Sequence, residues 1–312
     1  MAKPLDLVKN NTSFLAADGS GTTWGKLLGA SFGVEPSKVE KSLIPTSRDW
    51  VLTNDSIMSN YGSVILLDAT ARRNLTNGVN TVAHLKSKGI NSLVKSDGGL
   101  IPFHGGNAGE QLGTIRNGLN KFVAEMKDLG VVGSKCRTAT TMDASPALLK
   151  ASGLTQAQNA AAFNSAGLIG GIEPEVVGKH EKDINTHKKA ATDAFDAVFD
   201  ACSKTNVDYK HCYAKIGFVG NGQSSTHSDP SAVADATLEV MQEKIPADIP
   251  LVVFLSGGWE PNKYYAYLSA VVNKAKEVNA PWVIRASASR AAFQCAYKNC
   301  LLYTSPSPRD RG

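Results

Sequence analysis

The chain has 312 residues, 42% of them apolar and 20% charged, a composition that can bury a large core without disulfides. The net charge of +5 is mild and not gathered in a basic block, so nucleic acid is not expected as a partner, while a small anionic ligand is. No apolar run is long enough to span a bilayer, and no membrane partner is expected.

Eight short apolar or small-residue runs are predicted as strands. In chain order they are 13–18 (SFLAAD), 63–68 (SVILLD), 91–97 (NSLVKSD), 131–137 (VVGSKCR), 168–175 (LIGGIEPE), 212–218 (CYAKIGF), 251–257 (LVVFLSG) and 282–289 (WVIRASAS). Apolar residues recur at three and four over 118–129 and 190–202, which predicts helices there. The stretches 156–163 and 232–244 read the same way. Strand–helix alternation without a linker argues for a parallel sheet covered by helices, and eight units in about 290 residues suit one closed (β/α)8 TIM barrel. An open doubly wound sheet is the alternative. It is weakened because no G-x-G-x-x-G follows the first strand.

In such a barrel the C-terminal strand ends line the active site. Asp18, Lys95, Asp97, Lys135, Arg137, Glu173, Glu175, Lys215, Ser256, Ser287, Ser289 and Arg290 all fall at those ends. Lys95/Asp97, Lys135/Arg137 and Glu173/Glu175 are spaced by two, so each pair shares one strand face. Lys215 sits in a buried apolar run. Burial can lower a lysine pKa by up to ~3–5 units, and Lys135 is a candidate cationic neighbour. A neutral amine attacks carbonyls, so Lys215 is either an imine-forming nucleophile or a strand-end lysine that snorkels to water. Glu173 and Asp18 are candidates for proton transfer. Gly257 and Gly258 in LSGG can turn backbone N–H groups toward an anion, and Ser289 and Arg290 open a helix, where anions are favoured.

The five cysteines form no C-x-x-C pair, which fits a reducing, cytoplasmic setting. The six histidines form no H-x-x-x-H pair, so neither a metal nor another cofactor is expected. Residues 301–312 (LLYTSPSPRDRG) break with what precedes them. They are read as translated sequencing adaptor, with a natural Ser/Pro-rich tail as the other reading. The expected division is a barrel over 1–299 and non-native sequence over 300–312.

LAADGSGTTWGK, VKSDGGLIP, GSKCR, IEPE, FLSGG and SRAAFQ, in that order and spacing, resemble the class I fructose-bisphosphate aldolases from about residue 12 to 298. The resemblance implies a Schiff-base role for Lys215, with Glu173, Asp18, Lys135 and Glu175 around it. It implies that Ser256, Gly257 and Arg290 hold one phosphate of fructose 1,6-bisphosphate, with Gly258 and Ser287 as further substrate- or phosphate-binding residues. Ser20, Thr23, Lys26 and Lys95 are implied near the other phosphate, and Arg137 as a further substrate-binding residue. A homotetramer, a place in glycolysis or gluconeogenesis, and a proton-relaying C-terminal tail ending in tyrosine are also implied. That tail does not occur in this sequence. Other departures are Gly19 and Leu27 in place of family Glu and Arg, Cys136 in place of an aromatic residue, and the flanks of Lys215. These leave open an aldolase for another phosphosugar, or an aldolase-like binding or interaction protein with impaired catalysis.

Overall fold

A computed structural model of the protein describes residues 2–15, 21–289 and 291–293. Strands β1 (Ser13–Leu15), β2 (Tyr61–Leu66) and β3 (Asn91–Lys95) are followed by a ribbon, β4 (Asp97–Pro102) and β5 (Gln111–Ile115). Then come β6 (Gly133–Thr140), β7 (Gly170–Val176), β8 (Cys212–Ile216), β9 (Leu251–Leu255) and β10 (Val283–Ala288). Apart from the antiparallel β4–β5 ribbon, neighbours pair in parallel in chain order, and β10 returns to β1 with Ser287 opposite Phe14. The sheet is therefore a closed eight-stranded barrel, and the open-sheet alternative falls.

Both faces of these strands are covered, which is why they read as apolar runs rather than alternating ones. Outward residues such as Ile172, Ala214, Ile216, Val252 and Phe254 pack under the helices Ile184–Ser203, Pro230–Lys244 and Pro261–Glu277. Inward residues Phe14, Ile65, Leu93, Ile169, Tyr213, Leu251 and Val253 form a separate cluster in the lumen. Leu7 and Val8, from the segment Pro4–Asn11, join it.

Along several strands the inward positions change from apolar or glycine to charged toward the C-terminal end. Leu93 is followed by Lys95 and Tyr213 by Lys215. Gly133 gives way to Lys135 and Arg137, and Gly171 to Glu173 and Glu175. The apolar layer is thus a floor and the charged layer lies on it. Tyr213 is fully buried in that floor and its hydroxyl donates to the Ser134 carbonyl at 2.9 Å. Gly171 makes room for this phenol, since a Cβ there would lie 2.1 Å from the Ser134 carbonyl oxygen and 2.6 Å from the Tyr213 hydroxyl.

Candidate active site

Three charged side chains meet on the floor of the mouth. Glu173 Oε1 lies 2.9 Å from Lys215 Nζ and Glu173 Oε2 lies 2.8 Å from Lys135 Nζ. Their residues are 2%, 6% and 8% exposed respectively for Glu173, Lys215 and Lys135. The sequence reading put Lys135 beside Lys215 as its cationic neighbour. The structure adds that a carboxylate stands between the two ammonium groups.

This arrangement separates the lysines chemically. Burial works against charge on both. On Lys135, attraction to Glu173 and Asp97 overcomes burial, and the amine is held above its ordinary range. On Lys215, burial, reinforced by repulsion from Lys135, outweighs the pull of Glu173, and the amine falls below that range. Burial would raise the Glu173 carboxyl, but Lys135, Lys215 and Arg137 bring it down to about 2. Of two lysines sharing one carboxylate, Lys215 is the one that loses its proton first.

Two further ion pairs surround the cluster. Lys95 Nζ contacts Asp97 Oδ1, and Arg137 Nε contacts Glu175 Oε2. The sequence pairing of Lys95 with Asp97 on one face is observed as this contact, whereas Arg137 and Glu175 pair across β6 and β7. Asp97 is buried, and its Oδ2 also accepts the Arg137 backbone N–H at 3.2 Å. It therefore ties the end of β3 to β6, a role that a place at a strand end does not by itself reveal.

The candidate phosphate residues lie at the ends of the adjoining strands. Ser256, Gly257 and Gly258 follow β9 directly, with φ of +53° at Gly257 and +98° at Gly258. Ser287 is buried in β10, and its Oγ has no partner among the described residues. Ser289 accepts the backbone N–H groups of Ala292 and Phe293 at 3.0 and 3.3 Å through its carbonyl, which opens a helical turn there. Thr23 is in the first turn of the helix Gly21–Phe32, and Lys26 is exposed on that helix. Leu27 on the same helix is buried in the core beside Trp24 and Leu28, so this departure is a packing position. Asp18, Ser20 and Arg290, and the 300–312 segment, lie outside the described residues.

Two supporting residues escaped the sequence reading. In the helix Pro146–Ser165, Gln156 is fully buried. Its Oε1 accepts the Glu173 backbone N–H at 3.2 Å and its Nε2 donates to Thr138 Oγ1 at 3.1 Å, which fixes β7 against β6. Asn159, also fully buried, accepts from Ser96 Oγ at 2.9 Å just beyond β3. The available signal was that, of the three amides in the run QAQNAAAF, Gln156 and Asn159 are three apart and so share one helix face.

A parallel eight-stranded barrel with a buried lysine–carboxylate–lysine cluster at its C-terminal mouth defines the class: a (β/α)8 protein built to carry charge chemistry inside the barrel. The family model for class-I fructose-bisphosphate aldolases matches residues 2–300, and the chain belongs to that family. It is 29% identical over 287 residues to chloroplastic fructose-bisphosphate aldolase 1 of Pisum sativum, covering 91% of this chain and 78% of that one. It is 27% identical over 296 residues to a probable class 1 fructose-bisphosphate aldolase of Xanthomonas axonopodis pv. citri, covering 94% and 86%. Among solved structures, a fructose-bisphosphate aldolase from Plasmodium falciparum has the same fold, with a TM-score of 0.85 at 21% identity over 96% of this chain and 89% of that chain.

Proposed function

We propose that the protein is a lyase that cleaves fructose 1,6-bisphosphate reversibly to dihydroxyacetone phosphate and glyceraldehyde 3-phosphate through an imine on Lys215. The observation that carries this reading is the Glu173 bridge, with Lys215 shifted down and Lys135 shifted up.

Lys215, as the free amine, adds to the C2 carbonyl of the open-chain sugar. Glu173 takes the proton released from the amine and passes it to the C2 oxygen to give the carbinolamine, and a second proton, taken up from solvent and delivered by Glu173, lets that hydroxyl leave as water. The resulting iminium draws electrons. Asp18 accepts the proton of the C4 hydroxyl, the C3–C4 bond breaks, and its electron pair moves toward the iminium nitrogen. The aldehyde departs, C3 of the enamine is protonated, and water hydrolyses the imine to release the ketone. Lys135 keeps its charge throughout and steadies the anionic oxygen beside it. Ser256, Gly257, Gly258, Ser287 and Arg290 take one phosphate. Lys95 and Arg137, each about one-third exposed in its side chain, are assigned to the rest of the substrate, for which Ser20, Thr23 and Lys26 are the further candidates.

Among the described residues, no group of three or more His, Cys, Asp or Glu gathers as a metal site. The reading therefore carries a simple kinetic expectation. The protein cleaves fructose 1,6-bisphosphate with higher kcat/KM than either fructose monophosphate, and excess chelator leaves the rate unchanged. A rate lost on chelation and restored by a divalent ion, or no cleavage of any of the three sugars, overturns the proposal.

A further inference from the structure

The loop between β8 and the helix Pro230–Lys244 has no part in the chemistry above, yet it is built firmly onto the mouth. It docks on the loop after β7 through three backbone bonds. Gly222 N–H donates to the Lys182 carbonyl at 3.0 Å, Gln223 N–H to the Gly178 carbonyl at 3.0 Å, and Ser224 N–H to the His180 carbonyl at 3.2 Å. The Gln223 amide lies over Gly178, where an added Cβ would meet its Nε2 at 3.1 Å. From this platform Gln223 Nε2 reaches across and donates to the Gly257 carbonyl at 3.0 Å.

That carbonyl belongs to the turn that follows β9. Trp259 N–H closes the turn onto the Ser256 carbonyl at 2.9 Å, and both central residues, Gly257 and Gly258, have positive φ. This is the pattern of a type I′ turn. Two glycines are free to let their shared peptide rotate. In a trans peptide the carbonyl of one residue and the N–H of the next point in opposite directions. Holding the Gly257 carbonyl on Gln223 therefore sends the Gly258 N–H to the far side of the turn. β9 lies between β8 and β10. Gln223 comes from the loop that follows β8, so the opposed Gly258 N–H faces away from it; β10, with Ser287 Oγ buried without a partner among the described residues, borders β9 on its other edge.

We infer that Gln223 is a positioning residue for one phosphate of the substrate: it sets the Gly257–Gly258 peptide so that the Gly258 N–H, together with Ser287, is presented to the phosphoryl oxygens. The identity of the ligand rests on the aldolase reading above. Gln223 itself does not touch the phosphate. Its contribution is to keep one N–H from turning away.

Gln223→Met keeps the side chain's length and bulk and removes the donor. Calorimetry on the full chain compares glucitol 1,6-bisphosphate, glucitol 1-phosphate and glucitol 6-phosphate, which lack the carbonyl and so bind without reacting. The variant is expected to lose about tenfold in affinity for the bisphosphate and for one monophosphate, and less than about twofold for the other. A general loosening of the loops would weaken both monophosphates alike. That result, or an unchanged affinity for all three, overturns the assignment. A split loss in a protein that fails to cleave fructose 1,6-bisphosphate supports the role of Gln223 and removes the aldolase reading. Failure of the wild-type chain to bind any of the three removes both.

Discussion

Lys215→Met is expected to lower kcat for fructose 1,6-bisphosphate cleavage by about 10⁴-fold or more, because it deletes the only atom proposed to bond to the sugar. Substrate affinity should change little, since the phosphate contacts remain. Stability should not fall. The Lys215 amine is pushed below its ordinary range, first by burial, so its ammonium form is a strain on the folded protein. A lysine lowered in this way binds its proton more weakly when folded than when unfolded. Its penalty is fully present below the folded value and is relieved as pH rises toward 10.5. The variant's gain over the wild type should therefore be largest near neutral pH and shrink in alkali. Chemical denaturation at pH 7 and pH 10 measures this. A variant that retains near-normal turnover would end the covalent reading.

Glu173→Gln should cost about 3–5 kcal/mol of stability at pH 7, the scale for removing one partner from a buried charge group. The amide keeps the shape but leaves Lys135 and Lys215 facing each other with no counter-charge. The proton shuttle is lost as well, so kcat should fall by about 10²–10⁴-fold. The pH dependence has a definite sign. The Glu173 carboxyl is held at about 2 in the fold against an ordinary 4.5. A carboxylate lowered in this way contributes stability that is complete above the unfolded value and is lost as pH falls through the folded one. The difference between wild type and variant should thus narrow from pH 4.5 downward and fade near 2. It should also narrow in alkali, where Lys215, the lysine shifted down, can discharge. Urea midpoints from pH 3 to 10 trace both limbs. Equal midpoints at pH 7 would mean that Glu173 does not bridge the lysines.

The eight barrel strands were legible because each is a short apolar run bounded by polar turns, and burial on both faces requires such runs. Their ends shifted by only a few residues. The β4–β5 ribbon was not legible. Its residues Leu100 and Ile101 are exposed, and Gly98 and Gly99 interrupt any alternation, so nothing marks DGGLIP as a strand. The helix predicted over 118–129 is observed as Leu119–Leu129, whereas two others were legible only in part. The helix that begins at Ile184 was recognised only from Ala190, because its first turns are polar. Its start signal was Asp183, whose side chain accepts from Thr186 N–H at 2.8 Å. The helix Pro146–Ser165 was legible only over its second half for a different reason: in the first half Ser152, Gly153 and Thr155 interrupt the apolar period while being buried.

At the site, spacing by two carried most of the information. It put Lys95, Asp97, Lys135, Arg137, Glu173 and Glu175 on inward faces, and the structure brings them to one mouth. Spacing within a strand says nothing about register between strands. That is why Glu173 between Lys135 and Lys215, and Arg137 against Glu175, had to come from the barrel itself. Gln156 and Gln223 were invisible for the same reason, since each acts through an element distant in sequence. Leu27 shows the converse. Its departure from the family pattern drew attention in the sequence, yet the side chain points into the core.

The most direct measurement is to trap the bond. The protein is incubated with fructose 1,6-bisphosphate, reduced with borohydride, digested, and mapped by peptide mass spectrometry. Reduction converts an imine into a stable secondary amine. A stoichiometric adduct on the peptide containing Lys215, absent when sugar or borohydride is omitted, is the expected result. An adduct confined to Lys135 or another lysine, or none in a folded protein that still binds the sugar phosphate, would contradict the account.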